Sequence, residues 1–452
     1  MIVILPNDIS KSYEVEYNLL LEDITKSRLR SSFIFSLRVI HVLWFCIAAI
    51  GAVTILVSVV LSSAVHEGEL ADRDPVVSCY YNTPSPVATA VRQLLPHDIH
   101  PHLCTHINVA FARIVNKTIY LEDHQYATLG DIIQLRKKNP KLKILLSVGG
   151  SGNDRNFSDM VVDHASRKIF IKSIKNLLRN YTLDGIDLDW EFPAIHNSKL
   201  ALKLAVAKRE RQHFSQLLRE IRAEYVRERR NYLLTVAVAA PEVIVDAAYD
   251  VDQLDLYTDF VNVMTYDYNF YSDATPFTGL NSPLYARPEE QLYIANLNIN
   301  YTVHMYISKG LSPNKLVIGV PTYGHSYTLV NSDNHGIASP ASGYGSLGSS
   351  GFVNYPDVCQ FMKKHGVVIK HVTRAEVPYL YSDHEWVSFD YPQSVSSKAA
   401  FIKEQGVRGA MVYSLNADDY EGVCEGDFGR NNTKFPLLKT VKDALVGFVK
   451  KG

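Results

Sequence analysis

Between Leu183 and Pro193 the chain reads LDGIDLDWEFP, and Asp187, Asp189 and Glu191 alternate there with Ile186, Leu188 and Trp190. On an extended strand successive side chains point to opposite faces, so this spacing directs all three carboxyls to one side. Three acids held together in an apolar setting cannot all carry charge. Burial and like charge raise a carboxyl pKa, which keeps a proton available near neutral pH. The pattern therefore equips the chain for general acid–base chemistry. An acidic cluster can also hold calcium or magnesium, the ions suited to all-oxygen ligands. An in-facing triad at the end of a strand matches proton transfer better, and neither a metal nor a cofactor is expected.

Such a strand needs a scaffold that opens at its C-terminal end. From about residue 76 short β-branched runs alternate with polar turns and helically spaced stretches, the pattern of repeated β and α units. Candidate strands run from Val76 to Tyr81, His106 to Ala112, Lys143 to Gly149, Leu183 to Glu191, Leu233 to Ala240, Phe260 to Tyr266, Lys315 to Tyr323 and Gly409 to Ser414. Eight strands predict an α/β fold, a closed (β/α)8 TIM barrel over residues 76–450. Between them, stretches such as Ser166 to Asn180 place apolar residues at three- and four-residue steps, as helices packed on a barrel require. The stretch from Lys203 to Arg230 is strongly charged, and its Lys208, Arg209 and Arg211 read as a solvated helix face. The interval from Lys315 to Gly409 exceeds the others and contains GFVNYPDVCQFMKKHG and EWVSFD. It predicts a small α+β insertion after the seventh strand, over about residues 325–388, forming one wall of the barrel mouth.

The rest of the chain bounds where this barrel works. With 46 basic and 47 acidic side chains in 452 residues the net charge is −1, which gives no field to gather phosphate backbones and argues against nucleic acid as a partner. From Phe33 to Leu61 the chain reads FIFSLRVIHVLWFCIAAIGAVTILVSVVL, long enough for a helix across the bilayer. Lys26, Arg28 and Arg30 precede it and Glu67, Glu69 and Asp72 follow, so the N-terminus is expected in the cytosol. The expected organisation is a cytosolic tail (1–32), a transmembrane signal anchor (33–63) and a stem (64–75) before the barrel. That makes a single-pass type II membrane protein with its barrel luminal or extracellular. The polar stretch before the apolar run argues against a cleaved signal peptide. Beyond Cys46 in that run lie Cys79, Cys104, Cys359 and Cys424, an even number suited to an oxidising compartment, with three pairings open. Asn-x-Ser/Thr triplets at Asn116, Asn156, Asn180, Asn300 and Asn431 all follow the membrane segment, which suits a glycoprotein. A monomer is expected.

The acidic segment resembles the DGxDxDWExP signature of the family 18 glycoside hydrolases, matched by Asp184, Gly185, Asp187, Asp189, Trp190, Glu191 and Pro193. The resemblance continues in order through Cys79-Tyr80-Tyr81, Ala110-Phe111-Ala112, SVGG at Ser147 to Gly150, MTYDY at Met264 to Tyr268, GVPTYGHSYTL at Gly319 to Leu329 and GAMVYSLNADD at Gly409 to Asp419. It implies a chitinase that makes endo cuts in β-1,4-linked N-acetylglucosamine, in chitin or chito-oligosaccharides. It also implies retaining catalysis in which the substrate's own 2-acetamido oxygen is the nucleophile. Glu191 would protonate the glycosidic oxygen and later activate water, Asp189 would hold the acetamido N–H, and Asp187 would share a proton behind it. Tyr266 would orient the acetamido oxygen and Asp267 would touch the same sugar. Tyr80 and Phe111 would line the floor, with Trp190, Met264, Tyr323 and Tyr413 as further substrate-binding positions. Cys79 would pair with Cys104 and Cys359 with Cys424.

The chain also departs from the family pattern. Ser151 stands where a tryptophan follows the paired glycines, Tyr413 where a tryptophan underlies the sugar, Ala417 where a methionine is usual, and His325 where an arginine is common. A phenol ring offers less stacking area than an indole, so shorter or fewer subsites are expected. Relatives without the catalytic acid act as lectins or signalling proteins. A weakly active, glycan-binding relative is therefore the alternative to the hydrolase that the retained Glu191 favours.

Overall fold

The computed structural model describes residues 74–86, 93–153, 156–195, 203–430 and 433–446. The expected tail and membrane helix, and all but the last two residues of the stem, lie outside the described residues. Among those described, no helix is long and apolar enough to cross a membrane. The chain divides into Met1–Arg73 and Asp74–Gly452, and every described element belongs to the second unit.

Short apolar runs rich in valine, isoleucine and leucine become strands because their branched side chains fit a pleated surface buried on both faces. In order these are β1 Val76–Asn82, β2 His106–Val115, β3 Thr118–Tyr120, β4 Lys143–Gly149, β5 Gly185–Asp189, β6 Leu233–Ala239, β7 Phe260–Met264 and β8 Leu316–Pro321. There follow β9 Tyr323–Leu329, β10 Ala341–Tyr344, β11 Phe352–Asn354, β12 Val368–Val372, β13 Val377–Ser382 and β14 Glu385–Ser388, and finally β15 Gly409–Tyr413. Strands β1, β2, β4, β5, β6, β7, β8 and β15 pair in parallel around a ring that closes where β15 meets β1. This is the expected eight-stranded barrel. The chain reaches Asp189 as the last residue of β5 and leaves the strand there, so Glu191 stands beyond its end rather than on it.

The second sheet runs β10-β9-β14-β13-β12, with β11 also on β9, and it leaves the barrel between β8 and β15. The expected insertion is therefore present. Its antiparallel strands close over Leu280, Tyr327, Leu329, Ala375, Val377 and Trp386, all buried. Trp386 stacks on Tyr379 at 5.0 Å and donates its indole N–H to the His335 carbonyl at 3.1 Å. Burying side chains of this kind contributes roughly 1.5–3 kcal/mol each.

Outside the barrel, the helix His164–Asn180 buries Phe170, Ile171, Ile174, Leu177 and Leu178. It starts two residues before the expected Ser166 because Asp163 caps it, accepting the Ser166 N–H at 2.8 Å. Its outer side meets the helix Lys203–Arg227 through Arg167 to Glu220 at 2.8 Å, with Lys175 and Arg179 on Glu228 at 2.7 and 2.6 Å. Much of the charge along this region thus joins neighbouring helices. Disulfides join Cys79 to Cys104 and Cys359 to Cys424.

Candidate active site

Parallel register sets Ser147, Asp187 and Thr235 side by side on β4, β5 and β6. In a parallel ladder paired residues share a face, so all three point into the barrel. The Asp187 Oδ2 atom accepts hydrogen bonds from the Tyr80 and Ser147 hydroxyls, each at 2.7 Å. Its Oδ1 accepts from Thr235 Oγ1 at 2.6 Å and from Asn262 Nδ2 at 3.3 Å. Burial raises this carboxyl while the four donors pull it down, and its pKa lies above the ordinary value. These hydrogen bonds occupy Asp187 without Asp189. Asp187 adds to the upward shift of its neighbour through charge.

Asp189 ends β5 with 2 % of its surface exposed, and its Oδ1 is buried without a hydrogen-bond partner among the described residues. Burial first, then Glu191 and then Asp187, push its carboxyl well above the ordinary range. Glu191, half-buried, stands next at the mouth. The backbone here is held by the paired glycines at the end of β4. Gly149 has φ of +112° and a Cβ on it would lie 2.0 Å from the Asp189 carbonyl oxygen, while a Cβ on Gly150 would meet the Phe111 ring at 2.8 Å. Gly150 N–H donates to that Asp189 carbonyl at 2.8 Å. Only glycine allows so close an approach in this left-handed conformation.

Above the acids lies an aromatic floor. Tyr80 sits 6.0 Å from Phe111 and 5.6 Å from Tyr413, and Tyr266 sits 5.9 Å from both Tyr413 and Tyr323. Phe111, Met264 and Tyr413 are half-buried against this cluster. Burial, with nearby Tyr413, Asp189 and Asp267, holds the Tyr266 phenol well above its ordinary pKa, so it stays a donor. Its hydroxyl donates to the Met411 sulfur at 3.6 Å, a weak acceptor that a better one can replace. Asp267, exposed and at φ +57°, has its Oδ1 held by the Tyr323 hydroxyl at 2.5 Å and by His325 Nε2 at 2.7 Å. Its N–H donates to Asn281 Oδ1 at 2.9 Å.

One expected substrate contact lies elsewhere. Trp190 is 1 % exposed and packs between Phe157, stacked at 5.1 Å, and the edge of Phe214 at 5.8 Å. Following directly on the in-facing Asp189 at the end of β5, it points the other way, into the layer between barrel and helices. Sequence reasoning passed over Ser147, Thr235 and Asn262, the donors to Asp187, and Asn281 behind Asp267. Ser147, Thr235 and Asn262 each interrupt an apolar strand with a polar side chain, and that interruption was the available signal. Among the described residues no group of His, Cys, Asp and Glu side chains is arranged to hold a metal ion.

The model of a family described as glycosyl hydrolases family 18 matches residues 76–418. Chitotriosidase-1 of Mus musculus is 36 % identical over 379 residues, spanning 81 % of this chain and 77 % of that protein. The Ostrinia furnacalis Group IV chitinase, solved in complex with allosamidin, superposes with a TM-score of 0.75 at 32 % identity, over 82 % of this chain and 99 % of that one. Human YKL-39, described as a pseudo-chitinase with retained chitooligosaccharide binding properties, gives a TM-score of 0.74 at 33 % identity, with coverages of 82 % and 99 %.

Proposed function

The chain belongs to the glycosyl hydrolases family 18, and from that premise we propose that it cleaves β-1,4-linked N-acetylglucosamine oligomers by endo-acting, substrate-assisted hydrolysis. The observation that carries the reading is the gradient of environment along Asp187, Asp189 and Glu191. The first acid is filled with donors, the second is dry with an unpartnered oxygen, and the third stands half-buried at the mouth. Glu191 gives its proton to the glycosidic oxygen as the bond from that oxygen to the anomeric carbon breaks. The acetamido carbonyl oxygen of the same sugar bonds to the anomeric carbon, and positive charge spreads onto the acetamido nitrogen.

Asp189 faces that charge. Desolvation disfavours its ionised form at rest, and a cation beside it offsets that penalty, so the stabilisation grows as the reaction advances. Tyr266, kept neutral by burial, exchanges its weak sulfur acceptor for the acetamido oxygen. Water then adds to the anomeric carbon as the bond from that carbon to the acetamido oxygen breaks, and it passes a proton to the Glu191 carboxylate, restoring the neutral acetamide with net retention.

Release of chromophore from a chitobiose or chitotriose glycoside tests this. Glu191→Gln is expected to lower turnover by at least about a hundredfold while leaving oligosaccharide binding in place. A second reading, glycan binding with little turnover, is supported by Tyr413 in the aromatic floor and by the likeness to a pseudo-chitinase. Wild-type turnover equal to that of Glu191→Gln would select it and reject hydrolysis. The reading also includes a membrane anchor over residues 33–63, supported by the predominantly apolar run from Val39 to Leu61. Carbonate extraction is expected to leave the full-length protein in the membrane pellet, and a soluble form beginning after residue 63 would overturn the anchor.

A further inference from the structure

On the flank of the barrel, outside its wall, a groove of about 1030 Å³ opens between the segment leading into β2, the end of the helix Asp123–Ile133 with the turn after it, and the helix Pro436–Val446. None of the acids of the cleft lines it. Its floor is firm and apolar, with Pro96, Ile99, Leu103 and Phe435 all buried. Its rim is cationic. Lys138, Lys434, Lys439 and Lys442 converge there with His97, His100 and His102, against Asp98, Asp131 and Asp443. Of those acids Asp443 is already engaged by Arg430 at 2.9 Å.

The cations are gathered rather than scattered. Lys442 donates its ammonium to the His102 carbonyl, tying the helix Pro436–Val446 to the histidine segment. The His100 and His102 rings lie 5.7 Å apart, and His100 Nδ1 accepts the His102 N–H at 3.3 Å. Burial, then His102, Lys442, Lys439 and Lys138, hold the His100 imidazole below its ordinary pKa. Burial likewise lowers the Lys439 ammonium. Like charges crowded over an apolar floor cost free energy that a multivalent anion would relieve.

We propose that this groove binds a small multivalent oxyanion, sulfate or phosphate esters carried on a compact scaffold with an apolar face, such as a substituted sugar ring. The volume accommodates a ligand of that size. The lysines offer several point charges to ester oxygens, while the floor offers contact to the ring. An anion beside His100 also favours its protonated form, so binding and proton uptake reinforce each other. The charged groups facing His100 are His97, Asp98 and His102 from its own segment and Asp131 and Lys138 from the neighbouring helix end. Lys434, Lys439, Lys442 and Asp443 face it from the C-terminal side. The inference stands independently of what the cleft does.

Calorimetric titration of the full-length protein at low ionic strength tests it, with sucrose octasulfate as the sulfate probe and inositol hexakisphosphate as the phosphate probe. At least one is expected to bind, and which one identifies the ester. The paired substitution Lys138→Gln with Lys439→Gln is expected to weaken binding by roughly tenfold. Lys138→Gln alone, on an exposed turn, should weaken it by less and keeps the test valid if the pair fails to fold. Lys168→Gln with Lys172→Gln, exposed on the helix His164–Asn180, should leave binding unchanged. If it is the sulfate probe that binds, its charge being constant in this range, binding should tighten from about pH 7.5 to about pH 5.5. Binding of neither probe, or equal losses in the groove and control variants, would overturn the proposal.

Discussion

Asp189 carries a conflict between burial and charge. Its folded-state pKa is raised, so the native protein holds this proton more tightly than the unfolded chain does. The stabilisation is fully present below the unfolded carboxylate value of about 4 and is lost as pH rises through the folded value. Asp189→Asn removes the penalty. It is expected to raise stability near neutral pH by on the order of 1 kcal/mol, read as a higher melting temperature, and to flatten the fall in stability from about pH 5 upward. Turnover should collapse in the same variant. A melting curve unchanged at both pH values would count against the buried, strained carboxyl. Asp187 and Asp189 were legible in the sequence because alternation along β5 places them on one face, and Glu191 follows just beyond the strand's end. Their supporting donors were not, since a serine, threonine or asparagine inside a strand gives no sign of what it will face until register is known. Trp190 belongs to the same motif and points the other way, because it directly follows the in-facing Asp189.

Elements impose their own limits. Gly149 lets β4 end against the Asp189 carbonyl, and Gly149→Ala would drive a methyl into that oxygen from a backbone conformation unfavourable to alanine. A loss of about 2 kcal/mol or more is expected, with turnover falling alongside stability. Wild-type melting and activity in this variant would show that the close approach relaxes without cost. The eight barrel strands and the insertion were readable from local patterns: short branched runs, and one interval too long to be a simple crossover. The order of the second sheet was not, because pairing β9 with both β10 and β14 joins segments distant in sequence. β5 ends two residues short of the expected Glu191, since LDWEF continues the strand-like alternation that the folded backbone abandons after Asp189.

At the scale of the molecule, covalent and hydrogen-bonded closure act together. The bond from Cys79 to Cys104 ties β1 to the residues before β2, and that from Cys359 to Cys424 ties the insertion to the segment after β15. Reduction of both is expected to lower stability by about 2–4 kcal/mol for each bond, measurable as a drop in denaturation midpoint. An unchanged midpoint under reducing conditions would mean that the fold restrains these loops unaided. The resemblance named the pairing, whereas cysteine count alone left three. The ring itself has a further consequence. Because β1 shares one edge with β2 and the other with β15, the first strand to leave the ribosome waits with half its backbone groups unmatched until the last strand, through Tyr413, has been synthesised. That edge stays open while everything between Asn82 and Gly409 is made, and a chain truncated before Gly409 lacks the strand that shuts the cylinder.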